Sequence, residues 1–228
     1  MSQIGDRGIG AALGPPLLKR CGRASDRDGR NRGGGNRMGV KGTAIESVVA
    51  DVNRLVEEGR LSRDVLEARL QASDLQLLEV KVVPALWYPY GSYGRLMELL
   101  FEFEGRRSTE YLVERGRRAA ERVRATGLYA QLKGDWSNWG SRVGTILATL
   151  GPAMYKDTAW RIEVDGVAEG AIRFRLEVDC PAEFPDVCRW PTQGFVEYVA
   201  RLYGASQTTR VTSERVSPER MLFLGAPR

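Results

Sequence analysis

The chain has 228 residues, 43% of them hydrophobic and 28% charged, enough for one domain with a proper core. It contains no histidine, which excludes Ser-His-Asp triads, Cys-His dyads, HExxH zinc sites, two-His iron triads and His-ligated haem. The formal net charge of +5 sits at one end: residues 1–43 hold nine Lys/Arg against three Asp/Glu, and residues 44–228 hold 25 against 26, so attraction of nucleic acid by the body as a whole is not implied.

Residues 1–37 read as a disordered basic tail rich in Gly and Arg. Nothing apolar repeats there, so little could be buried to offset the entropy of ordering. Ile9 to Leu18 is weakly apolar, but two prolines interrupt it and no signal-peptide pattern follows. Gly33, Gly34 and Gly35 lack the Lys-Ser/Thr ending of a phosphate loop. Two readings stay open: a flexible arm, or a chain whose true start is Met38.

From residue 38 onward the pattern is that of a single folded domain, 38–228. Ile45, Val48, Val49, Val52, Leu55 and Val56 recur at helical spacing and predict a helix over 44–58, ended by Gly59. Ser62 predicts the cap of a second helix reaching about Ala72, and a third piece follows over 74–80. Pro84 and Pro89 bracket Leu86-Trp87-Tyr88, which predicts a turn or extended link. Further helices are expected over about 92–104, 108–131 and 136–150.

Then the apolar period changes from helical to alternating. Trp160, Ile162 and Val164 alternate with polar neighbours, as do Ile172, Phe174, Leu176 and Val178, which predicts a hairpin of two strands joined near Gly166–Gly170. A helix is expected from Thr192 or Gln193 to Gly204, followed by short strands over 208–217 and 220–224. The fold class is therefore α+β: a helical N-terminal part, then β-β-α-β-β with a small antiparallel sheet.

Val40-Lys41-Gly42-Thr43-Ala44, Leu86-Trp87-Tyr88-Pro89, Gly116-Arg117, the helix from Phe195 to Ala205 and Thr209-Arg210-Val211-Thr212 together carry a resemblance over about 38–225. The chain resembles an uncharacterised δ-proteobacterial (myxobacterial) family of paralogues similar to four-vinyl-reductase-type, hydrocarbon-binding domains, and more distantly to haem-NO-binding and TRAPP-like domains. The resemblance implies an apolar ligand cavity between the long helices and the sheet. It does not carry a metal or haem: the haem branch needs a proximal histidine, and the last hairpin lacks the cysteines and glycine of metal-bearing members. No cofactor and no metal are expected.

Trp87, Tyr88, Tyr111 and Trp160 are the candidate ligand-binding residues, with Trp87 and Tyr88 expected at the cavity mouth. The alternative is that these rings, like Trp136, Trp139, Trp190, Tyr155 and Tyr198, are core and rim aromatics. The Arg-rich stretch 114–124 reads either as a surface for acidic partners or as a solvated face with Glu114–Arg118 and Arg117–Glu121 pairs. Glu163, Glu177, Asp179, Glu183 and Asp186 supply carboxylates without an evident pocket. Cys21, Cys180 and Cys188 form no disulfide framework, and no histidine is present to activate Cys188.

These readings favour a non-enzymatic sensor or scaffold domain in bacterial cytoplasm, binding a small apolar ligand or a protein partner, a second copy included. The apolar runs are shorter than the roughly 20 residues of a membrane span. The alternative is a nucleic-acid-associated protein using the Arg-rich arm and the 114–124 helix, with nucleic acid the less favoured partner.

Overall fold

The computed structural model describes residues 39–131, 139–168, 171–203 and 209–227. The expected tail over 1–37, Cys21, Trp136 and the tip of the first hairpin at Gly170 lie outside them.

The chain enters through a three-residue strand β1, Gly39–Lys41, and turns directly into helix α1, Gly42–Glu57. The apolar stripe read from the sequence is the buried face: Ile45, Val48, Val49, Val52 and Leu55 are all in the core. Helix α2, Arg63–Arg69, opens at Ser62, whose hydroxyl accepts from the Val65 N–H at 3.4 Å. Helix α3, Ala72–Glu79, begins two residues earlier than its apolar pattern suggests, because Asp74 reaches back to accept from the Gln71 N–H at 2.9 Å.

Asp74 also ties α3 to helix α4, Tyr90–Leu99. Its side chain is fully buried, and Arg95 donates to both carboxylate oxygens, at 2.6 and 3.0 Å. Burial works to raise the Asp74 pKa, but the hydrogen bonds from Arg95, Ser92 and the Gln71 N–H win and hold it below the usual value.

The segment expected as a turn or extended link is a strand. β2, Trp87–Pro89, pairs antiparallel with β1, matching Val40 with Tyr88 and Lys41 with Trp87. The Gly42 N–H also donates to the Leu86 carbonyl at 2.8 Å, so this short ladder fixes where α1 starts. Its partner strand lies about 46 to 50 residues away in sequence, a pairing that local patterning does not reveal.

The expected single helix over 92–104 is α4 followed by a π-helical turn, Leu100–Glu104. The long helix expected over 108–131 is two helices. Helix α5, Thr109–Ala125, stops where Gly127 takes φ +74°, and helix α6, Leu128–Gln131, restarts beyond it. Helix α7, Trp139–Met154, runs past its expected end and carries Pro152 in its last turn.

Strands β3, Ala159–Ala168, and β4, Ala171–Asp179, form the expected hairpin, with a bulge between Val164 and Gly166. Helix α8, Arg189–Leu202, starts three residues before the expected point. Pro191 falls in its first turn, where a missing N–H leaves no helical bond unmade. Strands β5, Thr209–Ser217, and β6, Arg220–Pro227, complete a four-stranded antiparallel sheet in the order β3-β4-β6-β5. One face is apolar, with Phe174, Leu176, Val178, Val211, Met221 and Phe223 buried. On the other face Arg161, Arg175 and Arg220 pair with Glu177 and Asp179. Those two carboxylates thus serve the surface of the sheet.

Helices α5 and α8 meet closely at two glycines. A Cβ on Gly116 would lie 1.9 Å from the Pro191 carbonyl oxygen, and one on Gly194 would lie 1.8 Å from the Val113 carbonyl oxygen. Each glycine faces the other helix's backbone, so the contact is backbone against backbone. Glu197 is buried at this seam and accepts from Arg117 at 2.9 Å and from Arg201. Gly194→Ala separates two opposed effects. Helix propensity alone would stabilise by about 0.5–1 kcal/mol. The clash with a carbonyl instead predicts a net loss of about 2–3 kcal/mol in denaturant unfolding, in the usual range for overpacking. A neutral or stabilised variant would show that the helices can part freely.

Candidate functional site

Where α1, α4, α5, α7 and α8 converge on the start of β3 they leave a cavity of about 340 Å³. Its size lies within the range of small-molecule sites. The wall follows from periodicity. α5 contributes Arg115, Gly116, Ala119, Arg122 and Val123, which share one helical face by i, i+4, i+7 spacing. α1 supplies Thr43, Ala44, Ser47 and Val48, and α4 supplies Tyr93 and Met97. Leu150, Gly151 and Met154 of α7 close one side, and Pro191, Thr192 and Phe195 of α8 another.

Trp160 of β3 is also on this wall. Its ring lies against Gly151, where a Cβ would come within 2.2 Å of it. The indole Nε1–H donates to the Thr158 hydroxyl at 2.9 Å, and Thr158 in turn donates to the Tyr155 carbonyl at 2.7 Å. The ring is therefore held in one orientation by packing and by a hydrogen bond.

The other three candidate residues lie elsewhere. Trp87 and Tyr88 sit on the β1–β2 ladder and not on the wall: Lys41 Nζ stands 4.6 Å from the Trp87 ring centre, and the Tyr88 hydroxyl accepts from the Val83 N–H at 2.8 Å. They steady the entry to α1, whose first turn does line the cavity. Tyr111 stands one helical turn before Arg115; it donates to Glu104 at 2.7 Å and accepts from Arg115 at 3.3 Å. It reaches the cavity only through Arg115.

Among the described residues, two arginines and no carboxylate line the cavity. Arg115 is compensated, because Asp51 of α1 accepts from it. Arg122 is exposed and has no ion-pair or hydrogen-bond partner among the described residues. Its neighbours on α5 are committed. Arg117 pairs with Glu110, Glu114 and Glu197 in place of the expected Glu121, Arg118 pairs with Glu114, and Arg124 donates to Tyr198 at 3.4 Å. The stretch read as a basic surface is mostly internal bracing between α5 and its surroundings.

The phenols in the wall are neutral at ordinary pH. Burial pushes the Tyr93 hydroxyl well up, with the nearby Tyr155 adding to it, and removal from water pushes Tyr155 up to about 12. Cys180 and Cys188 are buried, free and not on the wall, and burial raises both thiols, so neither is poised as a nucleophile. Among the described residues no group of three or more His, Cys, Asp or Glu is placed to hold a metal ion.

Of the four candidate residues Trp160 is on this wall, which also includes Tyr93, Met97, Arg115 and Arg122, none of them singled out as cavity residues from the sequence. The i, i+7 recurrence of Arg115 and Arg122 beside Ala119 and Val123, on the apolar stripe and not opposite it, was the available signal.

No family model matches the chain, and no curated protein matches it. Solved structures similar to it are H-NOX domains. A structure probing haem distortion in the H-NOX family is 14% identical, with a TM-score of 0.49, covering 82% of this chain and 95% of that one. A point mutant of the T. tengcongensis H-NOX is 14% identical at 0.48, covering 82% and 97%. An oxygen-binding H-NOX domain related to soluble guanylate cyclases, in its oxygen complex, is 14% identical at 0.46, covering 82% and 95%. Likeness at this level says nothing of what the cavity takes up. Nor do the residues present fit a haem: the chain has no histidine, Cys180 and Cys188 are not on the cavity wall, and the wall's phenols are held in their neutral form.

Raised phenol pKa values link stability to alkaline pH. A tyrosine of the unfolded chain ionises near pH 10. Stability gained from keeping Tyr155 neutral is thus complete below about pH 10 and is lost as pH rises through about 12. Stability measured across pH 9–12 should fall less steeply in Tyr155→Phe than in the parent. Parallel curves would mean that this hydroxyl is in contact with water.

Proposed function

We propose that the chain is a non-enzymatic sensor or scaffold domain that takes a small, mainly apolar molecule into the cavity between α1, α5, α7, α8 and β3. The observation that carries this reading is the wall itself: Val48, Met97, Leu150, Met154, Trp160 and Phe195 surround the space, with a few hydroxyls and arginines set among them. That mixture, an apolar body with sparse polar groups, is the usual make-up of a small-molecule site. Chemistry on the ligand is not part of the proposal. Among the described residues the wall has no carboxylate and no cysteine, and its neutral phenols are poor bases.

An occupant would touch the helical part and the first strand of the sheet at once. Its presence would favour one packing of α5 against β3 over others, and a partner or a second copy could read the difference. We place the protein in the cytoplasm as part of the same proposal; no described helix is long and apolar enough to cross a membrane.

Ala119 faces the cavity from the middle of α5, so Ala119→Trp fills the space from one wall. Native mass spectrometry of the purified protein should show a 1:1 adduct of an apolar small molecule that the variant lacks. A saturating ligand at about 100 times its Kd should also stabilise the parent by about 2.7 kcal/mol and the variant hardly at all. Equal adducts on both proteins would place the ligand outside the cavity and contradict the proposal.

A further inference from the structure

We infer that the molecule bound in this cavity is an amphiphile with a single acidic head group, its apolar chain inside and its head at Arg122. The inference rests on the cavity reading above and adds the chemical class of the ligand.

Charge balance around the cavity carries it. Among the described residues the lining contains two cations and no anion. Arg115, on the inner side, is neutralised by Asp51 and donates to the Tyr111 hydroxyl, so it presents little unspent charge. Arg122 lies seven residues further along the same face, is exposed, and has no partner among the described residues, although its helix is crowded with ion pairs. The carbonyl end of α5 offsets at most about half a charge. A positive charge is thus left over where an apolar cavity meets water.

The other groups at that rim do not compete for an anion. Thr126 and Thr43 are exposed there, but the Thr126 hydroxyl already donates to the Val123 carbonyl at 2.7 Å, and Thr43 Oγ1 is directed at the Met154 sulfur at 3.5 Å. The Arg122 guanidinium is the strong donor at this edge with no partner among the described residues. A carboxylate or a phosphate monoester meets it; an alcohol or a hydrocarbon does not. Volume sets the size. A water-sized group occupies about 30 Å³, so the cavity has room for a chain on the order of ten carbons.

The test titrates the full chain with decanoate, 1-decanol and decyl phosphate by calorimetry at low salt. Decanoate should bind about tenfold more tightly than decanol, the usual gain from one charge-assisted hydrogen bond. Raising the salt should narrow the gap, since Arg122 is exposed. Arg122→Gln should abolish the preference, so that decanoate binds no more tightly than decanol. Arg118→Gln, an exposed arginine of α5 outside the lining, should leave both unchanged. Decyl phosphate binding more tightly than decanoate would support an acidic head and assign it to the phosphate class; the reverse order would assign it to carboxylates. Equal binding of decanol and decanoate, or a preference that survives Arg122→Gln, would overturn the inference while leaving the cavity reading in place. Failure of all three probes to bind would overturn both.

Discussion

The approach of α5 to α8 sets the terms for the rest of the structure. Gly116 and Gly194 let each helix rest on the other's carbonyl oxygens, with no side chain between them. Two helices packed this closely cannot be moved apart or re-registered by small side-chain shifts, because interiors are close-packed. The seam also contains an ionic component. Glu197 is buried between Arg117 and Arg201, and removing either side would leave an uncompensated charge in the interior. Glycine contact and buried carboxylate act at the same place, so the crossing has one geometry.

The cavity is a consequence of that geometry. α8 contributes Pro191, Thr192 and Phe195 and α5 contributes Ala119 and Val123, all flanking the seam. On the far side Trp160 lies flat against Gly151, its indole N–H already occupied by Thr158. The space between is lined by groups with little left to hydrogen-bond: neutral phenols, a neutralised Arg115, thioethers and aliphatic carbons. A wall of this kind favours an apolar occupant over water, because a cavity water needs two to four polar partners. The polarity rises only at the edge, where Arg122 stands.

Much of this was legible from spacing alone. The stripes Ile45–Leu55 and Phe174–Val178 each repeat with a definite period, and each became the buried face of its element. What escaped was non-local. The β1–β2 pairing joins residues about 46 to 50 positions apart, so no local pattern shows that Trp87 and Tyr88 sit on a ladder. Arg117 could be paired with Glu121 by local rule, but the nearer partner in space was Glu197, 80 residues on. Arg122 became distinctive only when the partners of all its neighbours were known. The glycines at 116 and 194 carried no visible message, since close approach depends on what lies opposite. Side chains that act through distant partners leave no periodic trace in a single sequence.

The proposed ligand enters this cavity and no other part of the protein. Methionine methyl groups report on that directly. Met97 and Met154 are on the wall, while Met221 is buried in the sheet away from it. In a sample labelled with 13C at the methionine methyls, adding decanoate should shift the Met97 and Met154 resonances to saturation at one equivalent and leave Met221 in place. Binding that leaves Met97 and Met154 unmoved would contradict the account.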